Sequence, residues 1–285
     1  MGCCSRMNYY LAVDIIRYDE KLLIEAFKDL GINIAIIKVD NELLPLMDGG
    51  MFNESLVVLR PISAFNAIYS AVSFESMGAL TINSSKALYV CNDKILTYGC
   101  LIKEGLRIPK TYIALSSSSL QSVSNKLQFP IIDKPPIGSW GRLVSYIRDN
   151  IDLRMISEHR DYMGPIVKTH IMQEVIGLGK DLRCIVVGDE VLGCMIRKAS
   201  DDEWRSNVAL GGTVENYPVD SEIEELVIRA SKAVGTEFAG VDLLVGDGYY
   251  VNEVNGVPEF KGFIRATGIK VHEHLVKYLV GSIKR

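Results

Sequence analysis

The first third of the chain alternates apolar runs with amphipathic segments, and that alternation restricts it to a layered α/β arrangement. Residues 9–13, 32–39 and 55–59 are strand-like runs. Between them, 19–30 puts Leu22, Leu23, Ala26, Phe27 and Leu30 on one helical face, and Gly31 reads as the helix C-cap. Ser63 opens a second helix whose Ala64, Ala67, Ile68, Ala71 and Val72 are expected to face inward, and 81–83 is a short strand end. Near-continuous apolar strands need cover on both faces, which a parallel sheet obtains from its own crossover helices.

Beyond Asp93 the pattern changes. A helix over 93–103 stops at Gly105, and short strands are expected at 111–115, 130–133, 144–147, 170–175, 182–187 and 191–197, with a polar turn at 116–119. Residues 222–234 form an amphipathic helix, 241–245 and 249–254 a hairpin across Gly246-Asp247-Gly248, and 272–283 a closing helix. The expected fold class is α/β with an α+β C-terminal part, in three lobes. These are a parallel-sheet N-terminal domain over 8–90, a central lobe over 91–170 and a C-terminal lobe over 171–285, preceded by an extension at 1–7. A chain of 285 residues is ample for that.

Composition removes several classes. With 48% hydrophobic and 23% charged residues the chain is globular in make-up. A net charge of −4 and a pI near 5.7 lack the basic excess of a nucleic-acid binder. No apolar run approaches the roughly 20 residues of a membrane span, and no secretory signal opens the chain. Cys3, Cys4, Cys91, Cys100, Cys184 and Cys194 form no CxxC pair. Each is expected as a small buried apolar residue in a reducing cytoplasm. Gly2-Cys3-Cys4 looks like an acylation signal, but Arg6 stands where that pattern needs Ser or Thr. An upstream start or cloning residue is expected before Met7, rather than a lipid anchor.

The sharpest local signal is Asp242, Glu253 and Asn255. Strand alternation puts Glu253 and Asn255 on one face, and the tight turn brings the strand of Asp242 alongside. Three oxygen donors converging from adjacent strands suit Mg²⁺, with Mn²⁺ as a substitute. A solvated hairpin face is the alternative, although a carboxylate set among Val241, Leu243 and Leu244 needs a partner.

Other polar sets precede it. A strand ends on Lys134 and runs into Gly138-Ser139-Trp140-Gly141-Arg142-Leu143-Val144, a loop whose backbone N–H groups can approach phosphate. It is neither a P-loop nor a Rossmann fingerprint, and a plain Gly-rich turn is its alternative. Lys94 starts a helix, where it also reads as a solvated lysine. Gln173-Glu174-Val175-Ile176 ends a strand at a Gly-flanked turn that can read an adenine edge. Asp181 can hold ribose hydroxyls or form a surface ion pair with Arg183. Arg197, Arg205 and Asn207, with Trp204 beside them, suit a transferring phosphoryl group or form a surface loop.

Taken in order, these sets resemble the RimK/LysX branch of the ATP-grasp superfamily over nearly the whole chain, on IDKPPIGSWGRLVS, QEVIGLGKDLRC, WRSNVALGGT and VDLL…VNEVN. NEVNGVPEFKGF further resembles the carrier-protein ligases of archaeal lysine and arginine biosynthesis, with Gly262-Phe263 matching the glutamate-specific form. The resemblance implies an ADP-forming carboxylate–amine ligase working through an acyl-phosphate. It implies that Lys94, Lys134, Gly138 through Val144, Gln173 to Ile176, Asp181 and Arg183 bind ATP. Asn207 would serve ATP and Mg²⁺ beside Asp242, Glu253 and Asn255, and would act in catalysis with Arg197 and Arg205. Arg197, Val208, Ala209, Phe260, Lys261, Gly262, Phe263 and Ile264 would line the substrate side.

Glutamate and a small acidic amino-group carrier protein of the LysW type are the implied partners, in a homo-oligomer (dimer or tetramer). A bulky Phe263 would shorten the pocket against 2-aminoadipate, although one methylene discriminates only ~10- to 200-fold. A basic patch near Arg197, Arg205 and Arg265 would receive the carrier. His159, His170, His272 and His274 are expected to be structural. The rivals are an aminoadipate or bifunctional ligase, a RimK-type ligase using another acceptor, and a non-catalytic nucleotide-binding module.

Overall fold

The computed structural model describes residues 7–47, 49–120, 122–200, 204–205 and 212–282. Its first layer is a parallel sheet ordered β2-β1-β3-β4, built from β1 (Asn8–Val13), β2 (Ile34–Lys38), β3 (Ser55–Leu59) and β4 (Leu80–Ile82). Every residue of β3 is buried, as a central strand covered on both faces requires. Helix α1 (Tyr18–Asp29) turns Leu23, Ala26 and Phe27 inward, whereas Leu30, at its C-cap, is exposed. Helix α2 (Ala64–Ser76) starts where Ser63 Oγ accepts the Asn66 amide and buries Ala67, Ile68, Ala71 and Phe74. Ala64 and Val72, expected to face inward, are exposed. The first lies in the opening turn, and the second is one residue, ~100°, past Ala71. Helix α3 (Ser85–Asn92), absent from the periodicity reading, is eight residues long with only Ala87 and Leu88 buried.

Helix α4 (Lys94–Lys103) is capped by the Asp93 carboxylate, which accepts the Ile95 amide at 2.8 Å. The second sheet is antiparallel, ordered β5-β8-β6-β7 from β5 (Thr111–Ala114), β6 (Ile131–Lys134), β7 (Ser145–Ile147) and β8 (His170–Glu174). β8 therefore straddles residue 170, the expected lobe boundary. The polar stretch expected to be a turn contains the one-turn helix α5 (Ser117–Leu120), and α6 (Asn150–Asp161) covers the sheet. Buried Asp133 holds this layer together. Its carboxylate takes Arg160 Nη1 at 2.5 Å and faces His170 Nδ1 at 3.0 Å, which gives His170 the structural place expected of it.

The third sheet, ordered β11-β10-β9-β12-β13, comprises β9 (Lys180–Val187), β10 (Glu190–Lys198), β11 (Thr213–Tyr217), β12 (Phe238–Val245) and β13 (Tyr249–Asn255). Alternation sends Leu182, Cys184 and Val186 to one face, where they pack with Val241, Leu243 and Val254 against α4 and α7 (Ser221–Val234). On the other face Ile185, Val187, Met195 and Phe238 join α1, α8 (Lys261–Thr267) and α9 (Val271–Ser282) in a core shared with the first layer. That face turns polar at its far end, with Asp181, Arg183, Arg197, Asp242 and Glu253.

One expectation about cysteine is corrected. Cys184 and Cys194 are directly opposed on β9 and β10, 4.0 Å apart at Cα, and form a disulfide. They are ten residues apart across a hairpin, so only the strand register brings them together. Cys91 and Cys100 are free and partly buried. Among the described residues no helix is long and apolar enough to cross a membrane.

Leu182→Ala removes a fully buried side chain from the middle of the third sheet. It is expected to lower the unfolding free energy by about 2–5 kcal/mol in urea titrations. Asp220→Ala removes the cap that accepts Ile223 N at 2.8 Å and is expected to cost about 1 kcal/mol.

Candidate active site

The second and third sheets face each other across a cleft of about 680 Å³, and α3, α4 and the first layer close one end. On the second-sheet side, Lys134 ends β6 with its ammonium buried. Nζ donates to Tyr98 Oη at 2.6 Å and to Asn252 Oδ1 at 3.0 Å. Burial pushes its pKa down from 10.5 to about 8, against an upward pull from Glu253. Lys94, at the start of α4, donates to Gly138 O at 2.7 Å and lies 3.6 Å from Glu253 Oε1. Lys134 thus reaches the hairpin of the third sheet from the opposite wall, and Lys94 reaches it from the helix that closes the end of the cleft.

The glycine loop roofs the cleft with Gly138, Ser139, Trp140, Gly141, Arg142 and Val144, while Leu143 is exposed and outside the lining. Trp140, Gly141 and Leu143 all have positive φ, which for Trp140 and Leu143 stores backbone strain. Arg205 Nη1 donates to Gly141 O at 3.0 Å, and Trp204 packs on Tyr146, so the Arg205 segment braces this loop. Asn207, Val208 and Ala209 lie outside the described residues.

The segment at the end of β8 brings Gln173, Glu174, Val175 and Ile176 into the cleft lining. The Gln173 side chain is buried and its amide nitrogen donates to Tyr98 Oη and Thr111 Oγ1, so it positions Tyr98, while Gln173 also lines the cleft. Glu174, Val175 and Ile176 line the cleft, and the Glu174 carboxylate accepts the Lys110 amide at 2.6 Å. Gly177, at φ +56°, lets the turn approach β12, because a Cβ there would lie 2.3 Å from Val245 O.

The polar face of the third sheet is a network of buried charge. Asp181 does not pair with Arg183 along its own strand. It accepts Arg197 Nε at 2.8 Å and a second bond from Arg197 Nη2. Arg183 makes a two-pronged pair with Asp242, including Nη2 to Oδ2 at 2.7 Å, and Arg197 Nη2 reaches the same oxygen at 2.9 Å. Directly opposed residues on neighbouring strands are closer than residues two apart on one strand, and β9 lies between β10 and β12. Asp181 is therefore engaged by Arg197, and it remains in the lining of the cleft. Arg197, only 8% exposed, is an internal cation rather than part of a surface patch. Burial raises the Asp242 carboxyl, but Arg183 and Arg197 outweigh it and hold it below the usual carboxylate range. Burial likewise opposes the Arg197 charge, and Asp242 and Asp181 hold it above its ordinary value.

Asp242 and Glu253 are direct cross-strand partners, with Asn255 two residues on. Asn255 Nδ2 donates to Gly240 O at 3.2 Å, which leaves its oxygen for a cation. No group of three or more His, Cys, Asp or Glu residues suited to a metal occurs among the described residues. The candidate set is two carboxylates and an amide, all oxygen donors, and this chemistry fits a hard divalent cation that keeps several waters. Gly240 makes room for the arrangement. A Cβ there would lie 2.9 Å from Pro258 and 3.1 Å from Arg183 Cδ.

On the substrate side the expected segment divides. Lys261, Gly262 and Arg265 line the cleft. Phe260 and Phe263 are fully buried in the core beside Ile185 and Met195, and Ile264 packs against that core. Phe263 thus does not shorten the pocket by lining it, because α8 turns that face to the core. Three residues that sequence reasoning missed are Tyr98, Asn252 and Arg17. Tyr98 joins Lys134, Gln173 and the Asn252 carbonyl, at 3.0 Å for the last. Its position four residues after Lys94, one helical turn on, is a signal that was available.

A cleft between two antiparallel sheets, with two lysines and a glycine loop opposite a carboxylate hairpin, is the arrangement of a phosphate-handling enzyme. The chain belongs to the RimK-like ATP-grasp family, whose domain matches residues 91–279, and the LysX preATP-grasp domain matches 11–90. It is 47% identical to a glutamate–LysW ligase ArgX of Sulfurisphaera tokodaii, covering 96% of this chain and 98% of the relative. It is 32% identical to the alpha-aminoadipate–LysW ligase LysX of the same organism, covering 95% and 98%. Its fold matches a RimK domain ATP-grasp protein from Sphaerobacter thermophilus with a TM-score of 0.77 at 21% identity, covering 95% of this chain and 98% of that one.

A phosphate bound beside Lys134 would favour its charged form. Free Lys134 loses its proton above about pH 8, so MgADP binding is expected to take up about one proton near pH 9 and almost none near pH 7. Affinity should fall by up to ~10-fold per pH unit above 8. Calorimetry in buffers of different ionisation enthalpy measures both, and Lys134→Met should abolish the uptake. For folding, the penalty of burying the charged amine is fully present below pH 8 and is relieved between 8 and 10.5.

Proposed function

We propose that the protein ligates the α-amino group of glutamate to the side-chain carboxylate of the C-terminal glutamate of a small acidic carrier protein of the LysW type. The ligation consumes ATP, passes through an acyl-phosphate and serves arginine biosynthesis. The observation that carries this reading is the meeting of Lys94 and Lys134 with Glu253 and Asn252 across the cleft. One cation from the end of β6, one from the start of α4 and oxygen donors from the carboxylate hairpin gather at one place in the cleft, the donor set that a triphosphate and its metal would need. The 47% identity to a glutamate–LysW ligase over almost the full chain supports the choice of substrate.

The work assigned to the chain is positioning and charge neutralisation. Lys94, Lys134 and the backbone of 138–144 hold the phosphates, and Glu174 to Ile176 border the base. Arg183 and Arg197 neutralise charge near the transferring phosphoryl group while remaining anchored by Asp242 and Asp181. Asp242, Glu253 and Asn255 would hold Mg²⁺, which supplies charge neutralisation at phosphate oxygens when bound. Lys261 and Arg265 stand on the wall where a carboxylate-bearing amino acid and an acidic carrier tail would approach. No nucleophilic Ser or Cys is required, and Cys91, the cysteine in the lining, has its thiol pushed up to about 12 by burial, with Glu253 adding to the shift.

The test is ADP release that depends on both carrier and glutamate, with the carrier weighed afterwards. The expected product is the carrier plus one glutamyl residue. A mass gain of one aminoadipyl residue instead, under equal competition, would transfer the protein to the lysine-pathway reading. Glu253→Gln is expected to reduce kcat by roughly 10²-fold or more, as loss of a charged group at the reacting phosphates does.

A further inference from the structure

The segment that follows the carboxylate hairpin, residues 256–260, is held from the first layer at three backbone groups, Gly256 O, Pro258 O and Phe260 N. Asn83, 1% exposed, follows β4. Its Nδ2 donates to Gly256 O at 2.7 Å and Phe238 O at 2.6 Å, and its Oδ1 accepts Glu237 N at 2.7 Å and Phe238 N at 3.0 Å. All four bonds that an amide side chain can make are used. Arg60, 1% exposed, donates from Nη1 to Pro258 O at 2.7 Å, and its guanidinium sits 5.3 Å from the Phe260 ring centroid. Asp19, at the start of α1, accepts Phe260 N at 2.8 Å. Glu20 accepts Arg60 Nε at 2.9 Å, and Arg17 ties Glu20 to Glu259.

Stability alone does not account for this arrangement. Buried ion pairs contribute little net stability compared with apolar packing, and their attested value is in fixing geometry. The network also leaves Asp19 Oδ1 and Arg60 Nη2 buried without a hydrogen-bond partner. What it fixes is the path of the backbone between Asn255, in the candidate metal set, and Lys261-Gly262, on the cleft wall.

We infer that Asp19, Arg60 and Asn83 are positioning residues for the amino-acid substrate. From the N-terminal layer they set the backbone of 256–260, and so the place of Lys261 and Gly262 in the cleft. The inference rests on the proposed function in seating the amino acid beside that wall. The first layer is then a template for the substrate pocket. Selectivity between glutamate and its one-methylene-longer homologue depends on residues that touch neither.

The test compares wild type, Asp19→Ala, Asp19→Asn and Arg60→Lys as full-length chains. Asp19→Ala is expected to raise the KM for glutamate roughly tenfold and to change the glutamate to 2-aminoadipate preference several-fold. The KM for ATP and the affinity for MgADP should stay within about twofold. Asp19→Asn keeps an oxygen for the Phe260 amide and should recover most of the loss, and Arg60→Lys, which keeps one donor for Pro258 O, should be intermediate. Hydrogen exchange should show lost protection over 256–264 in Asp19→Ala, with 238–245 unchanged. Equal losses for ATP and amino acid, or unchanged selectivity with unchanged exchange at 256–264, would overturn the inference. If the wild type ligates neither amino acid, the proposed function fails, and the exchange result alone decides whether the first layer fixes the loop.

Discussion

Burying charge on one face of the third sheet is the constraint from which the cleft is built. Asp181, Asp242 and Arg197 lie below a tenth exposed, and an isolated ion there would be costly. The solution is alternation by strand. Asp181 and Arg183 lie on β9, Arg197 on β10 and Asp242 on β12, so each acid has a guanidinium on a neighbouring strand. Because Arg–carboxylate pairs are two-pronged, they fix orientation as well as charge. Two arginines are thereby aimed at the same side of the sheet as Glu253 and Asn255, already desolvated and already paired. Little reorganisation remains for the moment when phosphate charge moves.

The opposite wall follows the same economy. Lys134 is buried against Tyr98 and Asn252, a setting that weakens its hold on a proton and increases the gain from a phosphate partner. The Gln173 amide nitrogen helps to hold Tyr98 in place. The first layer extends the pattern to the far end of the cleft through Arg60 and Asn83, whose bonds end on backbone carbonyls of 256–258. Three sheets are thus tied by buried polar groups that converge on one hairpin and the loop that leaves it.

Much of the chain's organisation was legible from pattern. The hairpin read at 241–254, the helix starts at Ser63 and Asp93, the amphipathic α7 and the parallel first sheet all rest on local rules of period and capping. The short helices α3 and α8 were not legible, because each has too few apolar positions to establish a period. Phe263 illustrates the limit. A phenylalanine next to a glycine in a matched motif reads as a pocket residue, yet the direction of α8 turns it into the core and leaves Gly262 at the wall.

By itself the sequence determined the identities and order of the groups: two lysines, a glycine loop, the arginines, and the carboxylates on alternating strand positions. Those follow from short-range periodicity, which the chain carries wherever it folds. Only the tertiary structure decided the pairings. Asp181 found Arg197 rather than Arg183, Cys184 found Cys194, and Asp19, Arg60 and Asn83 found a loop some 170 to 240 residues away. Strand order and register set which side chains stand opposite one another, and neither is written in any local stretch of the chain.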